Sequence, residues 1–340
     1  MSRRICIYFS WSRPQEIAAP LHVLDNRYPN LFEFRRAIWP FYEHASDPAP
    51  YKQDISGFLD HVILSDFRAF EKVVVSQTGY PVSLIQREGD TPPVKELDDA
   101  LLADVDTLIV VSLDHFRTSQ TASEGEVECI RSFLRRENAC LIVCPHHDVG
   151  ESEKLDDRVI QHRHHGDGLV PGQQRIGGFA KSLLDQLGFP IENQWGLSPG
   201  RDAAGGPAQL LFDDDAMKAS GILAGVRTFN LHPHLPHLWV PPQVSSKVSV
   251  LARQPINTMA PPHPFVIAGH RDFNAFLHIG PGDERAGHVF VCDATLWSSV
   301  FSGMESLSTL WANVANFGTK AAAFTKESRA GGRKASKPPK

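Results

Sequence analysis

Between Asp106 and Cys144 the chain writes out a strand, a capped helix and a second strand, and this unit restricts the fold more than any other segment. "DTLIVVS" is a short, continuously apolar run, as expected of a strand buried on both faces. Ser123 and Glu126 then form an S-x-x-E capping box ahead of Val127, Ile130, Phe133 and Leu134, whose spacing is helical. "ACLIVC" follows as another buried strand. A strand, a crossover helix and a strand of this kind pair in parallel, and a parallel sheet needs both faces covered.

The rest of the chain extends the same alternation. "RICIYFS" and "VSLIQ" read as strands. Leu21 to Trp39 and Asp54 to about Val75 carry helical apolar spacing, and "GYP" ends the second of these. "VKELDDALLADV" and "GGFAKSLLDQLGFP" are predicted helices, and "VSVLA", "PFVIAG", "AFLHIG" and "GHVFVCD" are predicted strands. "GPGDERAG" between the last two reads as a hairpin loop. The expected class is α/β, with a mainly parallel sheet and helices on both faces. We expect a single domain over residues 1–317, with an irregular His- and Pro-rich second half. Residues 318–340, basic and rich in small residues, are expected to form a disordered tail.

Two segments resemble a known superfamily. "DTLIVVSLDHFRTSQTASEGEVECIRSFLRRENACLIVCPHHD" is similar to the central strand-helix-strand unit of class I glutamine amidotransferase-like domains, especially the trehalose-utilisation (ThuA-like) branch. "GHVFVCDATLWSS" with "LSTLWANVANF" resembles the late strand and terminal helix of gliding-motility and intraflagellar-transport relatives of that fold. The resemblance spans about half the chain. It implies a flavodoxin-like α/β sandwich whose ligand site lies at the carboxyl ends of the parallel strands. Several members of these branches lack the catalytic cysteine, so the resemblance does not by itself imply an enzyme.

The nucleophile elbow of the active members reads G-x-C-x-G. Here Cys144 stands between Val143 and Pro145. Proline has no N–H to offer an oxyanion, and losing such a donor costs on the order of 3 kcal/mol of barrier. Cys144 is therefore read as a buried structural thiol, with a Cys144-dependent amidohydrolase as an alternative. The five cysteines are scattered and odd in number, with no CxxC, which fits reduced thiols in a cytoplasmic protein.

Histidine is the compositional outlier, at sixteen residues in clusters. His146, His147 and Asp148 follow the second strand, and "QHRHHGDG" adds His162, His164, His165 and Asp167. Imidazole and carboxylate suit zinc, iron or manganese, and a catalytic site wants about three ligands with one position open. The five histidines are the expected ligand pool, with Asp148 or Asp167 as ligand or general base. A pocket for an anion or a polar small molecule, or merely solvated histidines, remain as other readings. At least one of His146 and His147 is expected within about 8 Å of His162, His164 or His165, since the intervening loop is short and cheap to close.

"NLHPHLPHLWVPP" contributes His232, His234 and His237, either as another wall of that pocket or as cover for a sheet edge. "GHRD" offers a His270–Asp272 pair, and Asp293 ends "VFVCD" either as a ligand-site carboxylate or as a helix cap. The expected function is metal-assisted hydrolysis of a small polar molecule; a non-catalytic ligand-binding or scaffolding protein of the same fold is the alternative. Neither GxGxxG after a strand nor GxxxxGK[ST] occurs, so no nucleotide cofactor is expected. A net charge of -5 with no basic-aromatic stripe argues against nucleic acid. No apolar run approaches the ~20 residues that cross a bilayer, so no membrane association is expected. "ICIYF" at the start is too short for a signal core. The sequence leaves the oligomeric state open.

Overall fold

A computed structural model describes residues 2–17, 67–89, 91–114, 120–148, 152–165, 176–299 and 301–318. The predicted helix over Leu21 to Trp39, the start of the one from Asp54, Asp167 and the tail beyond Gly318 lie outside the described residues.

The N-terminal half alternates as the sequence predicts. β1 (Ile5–Ser12) is followed by α1 (Arg13–Ile17), α2 (Arg68–Thr78) and β2 (Ser83–Glu88). Then come α3 (Asp99–Leu102), β3 (Thr107–Ser112), α4 (Glu124–Leu134) and β4 (Cys140–Pro145). Gly79 stops α2 in the left-handed conformation, φ 76°, with its N–H on the Val75 carbonyl. Both halves of the Ser123–Glu126 capping box are formed on α4. The "VKELDDALLADV" segment is helical only over the four residues of α3, capped by Asp98. Ahead of it, Lys95 N–H bonds the Arg87 carbonyl, and Leu97 N–H bonds Glu126. Those tertiary bonds hold Lys95 to Leu97 extended.

The second half begins with α5 (Leu155–His165), α6 (Gly178–Gln186), β5 (Glu192–Leu197), β6 (Leu211–Phe212) and α7 (Asp214–Ser220). It continues through β7 (Leu235–Trp239), β8 (Ser249–Pro255), α8 (Pro264–Ile267), β9 (Asp272–Ile279), β10 (His288–Cys292) and α9 (Met304–Ala315). Two predictions are corrected here. "PFVIAG" is the short helix α8, because the His263 side chain accepts the Phe265 N–H as an N-cap and Pro264 sits at the first helical position. The first part of "QHRHHGDG", which follows His146 and His147 as a second loop in the sequence reading, is the last turn of α5.

Eight strands form one sheet in the order β2-β1-β3-β4-β10-β9-β8-β6. β2, β1, β3, β4 and β10 run parallel, and β9, β8 and β6 extend the sheet antiparallel. The β9–β10 connection is the expected hairpin. β5 and β7 pair as a separate two-stranded ribbon. The fold is therefore α/β with a mixed, mostly parallel sheet.

Alternate residues of the central strands feed two cores. Ile7, Ile109, Ile142 and Phe290 face α2 and α9, meeting Phe70, Leu310 and Trp311. Tyr8, Leu108, Leu141 and Val289 face α4 and α6, meeting Ile130 and Leu183. Each such large side chain, fully buried, contributes about 1.5–3 kcal/mol, so the parallel strands anchor the molecule. Among the described residues no helix is long and apolar enough to cross a membrane.

Candidate functional site

β4 and β10 are neighbours in parallel register, with Val143 opposite Val291. Their carboxyl ends consequently deliver His146 and Asp293 to the same place, although 147 positions separate them. His146 Nδ1 lies 2.9 Å from Asp293 Oδ1, and both side chains are buried. The other carboxylate oxygen of Asp293 accepts the Thr295 N–H (2.9 Å) and the Thr295 hydroxyl. Asp293 is thus both the cap of the turn Ala294–Trp297 and the partner of a histidine. Burial alone raises its pKa, but the His146 charge and hydrogen bond, the His232 charge and the Thr295 hydrogen bond hold it below the ordinary carboxylate value.

His232 reaches this point from the segment ahead of β7. The Asn230 side chain donates to the Thr295 carbonyl (2.9 Å) and accepts the His232 N–H (3.3 Å), locking the segment over the end of β10. Ser302, φ 57°, and Gly303, φ 76°, turn the chain beneath it. A Cβ on Gly303 would stand 2.7 Å from the Phe229 carbonyl oxygen, so this approach requires glycine. The ring of Phe301 meets His232 edge-on at 4.4 Å.

His147 completes the group. Its ring packs against Gly196 of β5, where a Cβ would lie 2.7 Å from Nδ1. The ring centroids of His146 and His147 are 4.1 Å apart, and His232 is 5.1 Å and 6.1 Å from them. One ring nitrogen from each of the three lies within 4.8 Å of the other two.

The hydrogen bonds bear on which nitrogen that can be. Nδ1 of His146 faces a carboxylate, Nδ1 of His147 faces the Asp148 carbonyl at 3.4 Å, and Nδ1 of His232 faces the His234 carbonyl. In the neutral rings of His146 and His147 an oxygen acceptor puts the proton on Nδ1 and the lone pair on Nε2, whereas His232 Nδ1 also lies 3.3 Å from the His234 N–H and can accept from it. A metal-binding histidine commonly donates its other N–H to a carboxylate or backbone carbonyl in this way. Three imidazole lone pairs, one of them backed by a buried carboxylate, suit a zinc-type ion with a fourth position open.

The remaining expected site residues are placed as follows. Asp148 Oδ1 accepts the Ile176 N–H and its Oδ2 pairs with Lys181 Nζ, both at 2.7 Å. Its carboxylate ties β4 to α6, which leaves it poorly placed as a general base. His164 Nδ1 bonds the Pro261 carbonyl, and its Nε2 accepts the Ser198 N–H at 3.0 Å. With both nitrogens held by backbone, His164 cross-links two loops and has no lone pair to give a metal. Its nearest described ring partner is His263, at 5.3 Å. His162 is buried on α5, and neither it nor His164 belongs to the 4.8 Å group. The two histidine clusters approach the same stretch, Gly196 to Ser198, but His232 is the third member of the triad. His165 belongs to α5, and Asp167 lies outside the described residues.

Cys144 is fully buried. Its sulfur accepts the Trp297 indole N–H at 3.1 Å and lies 3.8 Å from Cys292 Sγ. It is walled in by the core below the histidines and presents no face to a substrate. All five cysteines are free and buried. A cavity of about 1050 Å³ between α3 and α4 is lined by Asp98, Leu101, Glu128 and Cys129 and by none of the histidines. Burial and the nearby Asp99 push the Cys129 thiol up to about 12, so that cavity holds no ready nucleophile.

No protein-family model matches the chain. No curated protein matches it either. Among solved structures the chain is similar to one described as the mmIFT52 N-terminal domain. The identity is 12% and the TM-score 0.42, over 74% of this chain and 88% of that one. That likeness is too weak to establish a shared fold.

Proposed function

We propose that this chain is a metal-dependent hydrolase of a small polar molecule, with a divalent transition ion held by His146, His147 and His232. The observation that carries this reading is the convergence of the three rings. One ring nitrogen from each of the three lies within 4.8 Å of the other two, and His146 is backed by the buried carboxylate of Asp293. Bound there, the ion would supply Lewis acidity and a lowered pKa for bound water. Asp293 would fix the orientation of His146 and raise its basicity as a ligand.

The centre stands at the carboxyl ends of β4 and β10, the edge where open α/β sheets bind ligands. The parallel run β2-β1-β3-β4-β10 follows the strand order of flavodoxin-like sheets, and this supports reading the domain as flavodoxin-like and amidotransferase-like. Its five free, buried thiols agree with a cytoplasmic setting.

Elemental analysis of the untagged chain is the test. About one transition-metal ion per chain is expected, and His232→Ala should remove it; metal-free protein with intact histidines would overturn the reading. A second reading, a non-catalytic binding protein of the same fold, draws on the burial of His146 and His147. It requires that chelation lower the melting temperature while no small ester or amide is hydrolysed before or after.

A further inference from the structure

The β5–β7 ribbon carries a second concave surface, built from different residues. A cavity of about 620 Å³ is bounded by Trp195, His237, Phe265, Arg253, Asp272 and Asn274, among others. That volume is typical of small-molecule sites, which run from roughly 300 to 1,000 Å³. Strand alternation builds it: Arg253 of β8 pairs with Asn274 of β9, and Asp272 lies two residues before Asn274 on the same face. Asn274 also fixes the ribbon to the sheet, its N–H on His237 Nδ1 (3.3 Å) and its amide on the Leu238 carbonyl (3.0 Å).

One wall is a column of rings. Trp195 and His237 lie nearly parallel (22°, 6.4 Å), His237 meets Phe265 at 4.9 Å, and Phe265 stacks on His270 (10°, 4.0 Å). The other wall is charged. Arg253 Nε and Asp272 Oδ1 are 3.5 Å apart, and their side chains are 53% and 32% exposed. Neither side chain makes a hydrogen bond to the described residues, so this ion pair leaves donors and acceptors of both signs facing the cavity.

We propose that this cavity binds a free aromatic amino acid, its ring on the Trp195–Phe265 column, its carboxylate at Arg253 and its ammonium at Asp272. The charges select among ring compounds. A neutral aromatic would cover both charged groups without replacing their water, which is costly. An anion alone would face Asp272, and a cation alone would face Arg253. An amino acid carries both charges on one carbon, beside a ring that gains from stacking. None of the residues used belongs to the histidine triad, so the two assignments stand or fall separately.

Titration calorimetry of the full chain with L-phenylalanine tests it. Saturable binding is expected at micromolar to millimolar concentration. Phenethylamine, which lacks the carboxylate, and 3-phenylpropionate, which lacks the ammonium, should each bind at least about tenfold more weakly. Phe265→Ala removes a half-buried ring and should weaken L-phenylalanine binding by a similar factor, with the circular dichroism unchanged. Absence of saturable binding, equal affinity for either analogue, or full affinity in Phe265→Ala would overturn the proposal.

Discussion

Two groups of buried histidines use the same side chain in opposite ways. In the triad, one nitrogen of each ring lies within 4.8 Å of the others, and His146 leans on a carboxylate rather than on backbone. At His164 both nitrogens are taken by backbone, and His278 Nε2 is 2.9 Å from His288 Nδ1 in a stack of rings on β9 and β10. Burial is similar in the two groups. What would separate a ligand from a strut is the donor and acceptor at each nitrogen, which neither burial nor sequence position reveals.

The largest test of that contrast crosses two substitutions. His232→Ala should abolish the bound metal, leaving a folded apoprotein. His164→Ala should leave metal content near one per chain yet strand the Ser198 N–H and the Pro261 carbonyl, at about 1–3 kcal/mol per group. Metal analysis and denaturant unfolding on both proteins would read this, and loss of metal in His164→Ala would break the distinction.

Acid should expose the struts next. Burial, with the charge of His270, lowers His237 to about 4; burial, with the charge of His164, lowers His263 to about 3; burial, with His288 and Arg285, lowers His278 to about 4. In the unfolded chain these groups take protons near 6.5, so between 6.5 and 4 the unfolded state binds more of them. Their contribution is complete above about pH 6.5 and disappears as pH falls towards 4, or towards 3 for His263. A shift of that size corresponds to on the order of 3 kcal/mol per group. Unfolding of chelator-treated protein at stepped pH should show the loss, and His278→Gln should flatten the slope; an unchanged slope would count against neutral burial.

Asp293→Asn should act on the triad more gently. An amide can still meet His146 but removes the carboxylate's charge, so metal affinity should fall about 10- to 100-fold with the ligands intact. Competition with a chelator of known affinity measures this. An unchanged affinity would reduce Asp293 to the cap of Thr295. The smallest expected effect is at Cys144. Cys144→Ala should leave metal content unchanged, and iodoacetamide should not label Cys144 in the native protein; rapid native labelling would show that the pocket reaches below the histidines.

Much of this architecture is legible in the sequence because it is written in local periodicity. Ser123 and Glu126 announce α4 within four residues, and the apolar runs of β1, β3 and β4 need no partner to be recognised. His146 and His147 are placed correctly at a strand end for the same reason. His232 and Asp293 were visible only as candidates, since their pairing depends on β10 lying beside β4, a register that no local pattern encodes. α8 is hidden in the sequence because "PFVIAG" has the composition of a strand, while its helix is set by the His263 cap. His164 looked like a ligand because its two backbone partners come from loops at positions 198 and 261.

The place of β10 also sets an order in time. β4 is central in the finished sheet, yet its outer neighbour is made from residues 288–292. At a synthesis rate of about 5–20 residues per second, the 147 positions from His146 to Asp293 take roughly 7 to 30 seconds to emerge. Throughout that interval β4 is an open edge, with unpaired backbone groups beside a row of valine, leucine and isoleucine. The nascent chain therefore passes through a stage in which its best strand is its stickiest, and a factor that shields strand edges during translation should raise the yield of folded protein more than one added after release.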